Sequence, residues 1–150
     1  MNELEQWKND IWEYNKNYEA IELRIKEHSN TALKLLRRPI PHPDVATESA
    51  ELSLLLERLV EVCAEASYNY RGVKNFYEVT LMKRKLSIMR NEEKKIAANV
   101  AEAEAVIASA TEFSLMNEAE RYKETSDKRY SATERLIESI HIRLNYGNKP

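Results

Sequence analysis

The sequence predicts an all-α protein, a long antiparallel helical hairpin or coiled-coil bundle of three helices at about 2–38, 44–92 and 99–145. Apolar residues recur at steps of three and four along most of the chain, the spacing of a heptad stripe. Only two glycines occur in 150 residues, so the frequent turns of a strand-rich fold are missing. Because a lone helix cannot bury a heptad stripe, the helices are expected to lie lengthwise on each other.

The first helix is predicted from the most regular ladder in the chain. Its stripe positions are Leu4, Trp7, Ile11, Tyr14, Tyr18, Ile21, Ile25, His28, Ala32 and Leu35. The helix should stop at the prolines of segment 39–43, since proline lacks a backbone N–H and disfavours a helical conformation in the preceding residue. Residues 1–43 are therefore interpreted as a heptad helix followed by a proline-rich turn.

The second helix is predicted to begin near Asp44 or Thr47, either of which can cap it. Its ladder is Leu52, Leu56, Leu59, Cys63, Ala66, Tyr70, Val73 and Tyr77. Gly72 lies within this ladder, where it costs about 1 kcal/mol relative to alanine. Cys63 is interpreted as a small buried hydrophobic residue, and a single cysteine fits a reducing cytoplasm.

The third helix is predicted from Asn99, which with Glu102 three residues later forms an N-terminal capping pattern. Its stripe is Ala103, Val106, Ala110 and Phe113, then Ala119, Tyr122, Ser126, Tyr130, Thr133, Ile137, Ile140 and Leu144. Gly147 can end it as a C-terminal cap. Residues 44–146 would form one long hairpin, and residues 1–150 a single all-helical domain.

The helix lengths predict a homo-oligomer. The first helix is too short to cover the second beyond about Tyr77, so the end of the second and the start of the third should protrude with exposed seams. Other copies of the chain would cover those seams. The residues expected in the core or between copies are Trp7, Ile11, Tyr14, Tyr18, Ile21, Ile25, Leu52, Leu56, Leu59, Tyr70, Tyr77, Ile137, Ile140 and Leu144.

The net charge of −2 conceals an uneven distribution. Residues 44–70 hold six acids and one base, whereas residues 71–95 hold eight bases and three acids. The eight bases are Arg71, Lys74, Lys83, Arg84, Lys85, Arg90, Lys94 and Lys95. With tyrosines among them they are candidate nucleic-acid-binding residues, through phosphate contacts and ring stacking. A solvated basic face, neutralised by acids of the facing helix, is the alternative.

Nothing in the sequence favours catalysis or a cofactor. No glycine-rich phosphate-binding loop occurs, and His28, His42 and His141 have no ligand at the spacing of a metal site. No run of about 18 apolar residues is present, so neither a membrane-spanning helix nor a membrane partner is expected.

Residues 51–146 resemble the UvsY-type recombination mediators of bacteriophages. The resemblance lies in an alanine- and tyrosine-rich helix leading into bases at 64–74, a basic Met-Lys-Arg-Lys-Leu element at 82–86, and a long helix opening at Asn99 and ending in 140–144. It implies an oligomeric accessory protein of recombination in the host cytoplasm. Such a protein binds single-stranded DNA and helps a RecA-like recombinase load onto strands coated by single-strand-binding protein. Lys83 and Lys85 are the nearest counterparts of the family's DNA-contacting pair.

Two functions therefore remain open from the sequence. The first is a non-catalytic mediator that binds single-stranded DNA as a homo-oligomer through its basic block. The second is a helical structural or adaptor protein with no nucleic-acid role, such as an assembly chaperone, a scaffold or an inhibitor of a host protein. Residues 1–43 have no counterpart in the resemblance and fit an added oligomerisation or partner helix.

Overall fold

The computed structural model describes residues 2–39, 43–90 and 97–147. Its four helices are α1 (Glu3–Leu36), α2 (Asp44–Arg90), α3 (Ala98–Ala108) and α4 (Ala110–Gly147). No strand occurs within the described ranges, so the predicted all-α class is confirmed. The predicted roles of Pro41, His42, Lys94 and Lys95 fall outside the described residues.

The chain divides into two compact units. Unit 1 combines Met1–Trp12 with Ala66–Lys123, and unit 2 combines Glu13–Glu65 with Glu124–Pro150. Helices α1, α2 and α4 each contribute to both units, whereas α3 belongs to unit 1 alone. None of the helices in the described part of the chain combines the length and apolar character needed to cross a bilayer.

In unit 2, polar pairs join α2 to each of its neighbours. His28 Nδ1 of α1 lies 2.6 Å from Glu48 Oε2, and Ser49 Oγ lies 3.1 Å from His141 Nε2 of α4. Because the connection 37–43 is short, α1 and α2 run antiparallel. The buried apolar residues of this unit are Tyr14, Tyr18, Ile25, Ala32, Val45, Leu52, Leu55, Leu59, Val62, Ile137 and Ile140. The first-helix ladder predicted from the sequence therefore faces the interior here.

In unit 1, α2 runs antiparallel to α3 and α4. The contacts that show this are Tyr70 with Lys123, Tyr77 with Phe113, and Arg84 with Glu112. The start of α1 packs beside them, where Ile11, Val73, Leu115 and Ala119 form a buried cluster. Half-buried residues around this cluster are Leu4, Trp7, Tyr70, Met116 and Tyr122.

Helix α2 buries a wider strip of its surface than the single predicted ladder would cover. Half of the predicted ladder is buried as expected, namely Leu52, Leu59, Ala66 and Val73, and the other half is half-buried, namely Leu56, Cys63, Tyr70 and Tyr77. The buried line also includes three positions that were not predicted: Leu55, Val62 and Asn69. The reason is that α2 has two neighbours: in unit 1, Trp7 of α1 lies against Gly72 and Lys123 of α4 lies over the Tyr70 ring.

The predicted single third helix is interrupted at Ser109. The Ser109 N–H donates to both Ala105 O and Val106 O, and the residue has φ −100° and ψ 16°. At the same place Arg84 donates to the Ala108 carbonyl, an acceptor that an unbroken helix would use internally. A side chain that hydrogen-bonds to the helix backbone in this way is a known cause of a local break.

The start and the phase of the third helix also differ from prediction. Helix α3 begins at Ala98, one residue before the predicted cap, and Ala97 at its N-terminus provides no side-chain cap. The predicted stripe Ala103, Val106, Ala110 and Phe113 is exposed, and the buried positions are Ala101, Ala105, Ser109 and Glu112. The buried positions thus hold small side chains and the carboxylate of one ion pair, and of the predicted stripe Phe113 contacts Tyr77 of α2 while it keeps much of its surface exposed.

Candidate nucleic-acid interface

Six of the eight predicted bases lie on α2 in unit 1, and they differ in exposure. Arg71, Lys74, Lys83 and Arg90 are exposed to solvent, whereas Arg84 and Lys85 are half-buried. An exposed base can contact a phosphate without breaking a buried interaction with its own chain. The four exposed bases are therefore better placed than the other two to contact nucleic acid.

Arg84 binds its own chain through four hydrogen bonds. Its Nη1 donates to Ala108 O at 2.8 Å, Ser109 Oγ at 2.9 Å and Glu112 Oε2 at 3.0 Å, and its Nη2 donates to Glu112 Oε1 at 2.9 Å. This is a bidentate guanidinium–carboxylate pair, the most directional of ion pairs. Arg84 therefore joins α2 to the α3–α4 junction in this structure.

The acid of this pair is almost fully buried. The Glu112 side chain is 6% exposed, against 36% for Arg84. Hydrogen bonds from Arg84 hold the pKa of Glu112 below its ordinary value, although burial raises it. The carboxylate is ionised at neutral pH, and Arg84 is the group that makes its burial tolerable.

Lys85 has a looser partner. Its Nζ lies 3.8 Å from Glu102 Oε2, and the Glu102 side chain is well exposed. A solvent-screened pair of this kind contributes little energy, so a phosphate can replace the carboxylate at small cost.

The four exposed bases and the half-buried Lys85 lie along two sides of α2. Successive residues on an α-helix are rotated by about 100°, so Lys83 and Arg90, seven residues apart, share one side. Lys74 and Lys85, eleven residues apart, share another, and Arg71 neighbours Lys74 on it. The Lys85 contact with α3 shows that this second side borders α3 and α4.

The fold adds Lys123 to the second side of α2. The Lys123 Nζ lies 6.0 Å from the centre of the Tyr70 ring. Tyr70 itself lies one helical turn before Lys74 on α2. We call the set Arg71, Lys74 and Lys123 around Tyr70 the basic edge. Sequence reasoning missed Lys123 because its place depends on the register between α2 and α4, which the chain pattern does not reveal.

The aromatic residues among the bases have intramolecular partners. The Tyr68 and Trp7 ring centres lie 5.9 Å apart, and those of Tyr77 and Phe113 lie 5.5 Å apart. Tyr68 and Phe113 keep much of their surface exposed. These rings stabilise helix contacts and still present edges to solvent.

No three metal-binding side chains converge among the described residues. Burial raises the pKa of the Cys63 thiol, which lies near Ser126 and Asp127, so the thiol stays protonated at neutral pH. Cys63 is half-buried, so its side chain is more exposed than the sequence predicted and less exposed than that of an accessible nucleophile.

Comparisons of this chain with protein-family models, curated proteins and solved structures found no match. The geometry of the basic edge and the resemblance read from the sequence are therefore the grounds for a functional proposal.

Proposed function

We propose that this protein is a non-catalytic accessory protein that binds single-stranded DNA. The observation that supports the proposal best is the basic edge, where Lys123 lies near the Tyr70 ring and the exposed Arg71 and Lys74 follow Tyr70 on α2. Lys85 extends the same side of α2 by about three helical turns. A phosphate backbone lying along this edge would meet several positive charges in succession.

The mechanism is electrostatic. Lysine and arginine side chains displace counterions from the phosphates, which gives affinity without sequence preference. One edge with three or four bases binds weakly, and several copies in a homo-oligomer would raise the affinity by holding one strand at several points. The resemblance to UvsY-type mediators supports a role in recombination, with a RecA-like recombinase and single-strand-binding protein as partners.

The test is fluorescence anisotropy with a labelled single-stranded oligonucleotide across a salt series. Removing the basic edge (Arg71→Ala, Lys74→Ala and Lys123→Ala together) should weaken binding at least tenfold and reduce the slope of log affinity against log salt by about 2. The control removes the same charge from exposed bases of unit 2, with Lys34→Ala, Arg37→Ala and Arg38→Ala, and should bind like the wild type.

The second candidate is a structural or adaptor protein, and the exposed apolar side chains of α2 and α3 favour it. No binding of the wild-type chain at about 50 mM salt would reject the DNA proposal and leave this one. Equal losses in the edge variant and its control would show that only net charge matters, which would also reject the basic edge as a site.

A further inference from the structure

A line of exposed apolar side chains continues the stripe of α2 that packs against α1. Tyr68 and Gly72 contact Trp7 of α1. The same heptad spacing then gives Val79, Met82, Leu86 and Met89, all of them exposed. We call these four residues the α2 ladder. Apolar residues at coiled-coil spacing normally face another helix, and none of the described helices covers these four.

A second exposed apolar surface lies on α3 and the start of α4. Its large members are Val100, Val106, Ile107 and Phe113, with Ala103 and Ala110 between them. We call this set the α3 face. Ile107 is 76% exposed, more than any other large apolar side chain in the described part of unit 1. Both surfaces therefore lie in the same unit of the chain.

The two surfaces carry opposite charges along their borders. Lys83 and Arg90 lie along one side of the α2 ladder, and residues 66–90 contain six bases and one acid. Glu102 and Glu104 lie on opposite sides of the α3 face, and residues 98–120 contain five acids and no base. Pairing like with like would oppose equal charges, whereas pairing the two different surfaces would neutralise them.

We infer that the α2 ladder of one copy docks on the α3 face of a second copy of this chain. Burial of the apolar lines supplies the affinity, and attraction of Lys83 and Arg90 to Glu104 sets the pairing. This contact needs no nucleic acid and leaves the basic edge on a different side of α2. It therefore goes beyond the proposed function and can fail or succeed separately from it.

The test uses two variants that each damage one surface, measured by sedimentation equilibrium without DNA. Leu86→Glu places a charge in the α2 ladder, and Ile107→Glu places one in the α3 face. Each variant alone should be monomeric at a concentration where the wild type associates. An equimolar mixture should form a heterodimer, because each variant retains the surface that the other has lost.

The matched control is Leu23→Glu on α1, which is 59% exposed and lies in unit 2, outside both surfaces. It should associate like the wild type, and circular dichroism should show all variants equally helical. A wild type that stays monomeric at about 100 μM would overturn the inference. So would self-association that survives Leu86→Glu or Ile107→Glu, or a mixture that forms no heterodimer.

A charge exchange provides an independent check. Lys83→Glu with Arg90→Glu, and Glu104→Lys alone, should each weaken association at least tenfold. All three changes in one chain should restore it, because opposite charges again face each other. Failure of the threefold variant to recover would show that these charges do not set the pairing.

Discussion

At the scale of single residues, Gly72 shows that helix propensity alone gives the wrong expectation for a substitution. The sequence marks it as a weak point of α2, since glycine lowers helix stability by about 1 kcal/mol relative to alanine. In the structure a Cβ at position 72 would overlap the six-membered ring of Trp7. The glycine is thus the residue that lets α1 approach the backbone of α2.

Gly72→Ala is therefore expected to destabilise the protein by about 1–2 kcal/mol, despite the better helix propensity of alanine. Urea unfolding monitored by circular dichroism measures the change. In a Trp7→Ala background the same substitution should instead stabilise, by up to about 1 kcal/mol, because the overlap is gone. Equal effects of Gly72→Ala in both backgrounds would contradict the contact.

Asn69 is a second residue whose role is visible only in the structure. It is buried within the apolar line of α2, and its Nδ2 has no hydrogen-bond partner among the described residues. Asn69→Leu is expected to raise the free energy of unfolding by about 1 kcal/mol, because an unsatisfied buried amide is replaced by an apolar group of similar size. Thermal unfolding checks this against Asn30→Leu, an exposed site on α1 expected to change little. A destabilised Asn69→Leu variant would mean that the amide has a partner in solution.

At the scale of helices, the junction between α3 and α4 depends on one ion pair. Helices α3 and α4 meet at Ser109, and Arg84 binds the carbonyl before it, its hydroxyl and the Glu112 carboxylate. Since the folded-state pKa of Glu112 is lowered, its contribution to stability is fully present above the unfolded pKa of about 4.3. It is lost as the pH falls through the lower folded-state value.

Glu112→Gln should remove this contribution, costing about 1–2 kcal/mol at pH 7 because Arg84 loses an ionised partner. The variant should also lose less stability than the wild type between pH 5 and pH 3. Urea unfolding across that pH range tests both expectations. Parallel stability curves for the two proteins would show that Glu112 is not the titrating group.

The helices differ in how well the sequence predicts them. The ladder of α1 is regular, and the structure places it inward because no other face of that helix is apolar enough to compete. The 98–120 region has apolar residues around much of its circumference, so periodicity alone allowed the wrong phase. Arg84 and Glu112 select the other phase, and neither residue appears in an apolar pattern.

At the scale of the whole molecule, the class and the approximate helix bounds followed from glycine count, prolines and heptads. The pairing of residues that are distant in sequence could not be predicted in the same way. It depends on the register between helices, and several registers give a similar fit of side chains because the apolar pattern is nearly periodic. Lys123 on the basic edge and Trp7 on Gly72 are both consequences of register. The sequence thus placed six of the candidate bases on the helix that carries them in the structure, whereas the position of Lys123 beside them depends on the register between α2 and α4.

Because the apolar pattern of this chain repeats, its characteristic folding error is a shift in register between two packed helices. Where α2 meets α3, the seam is largely alanine, and a shift by one heptad would set Arg84 opposite Ala105 or Ala119 with little change in shape. Such a slip would strand the Glu112 carboxylate in an apolar interior without its cation. The bidentate Arg84–Glu112 pair thereby distinguishes the native register from registers shifted by one heptad, which are nearly identical in shape.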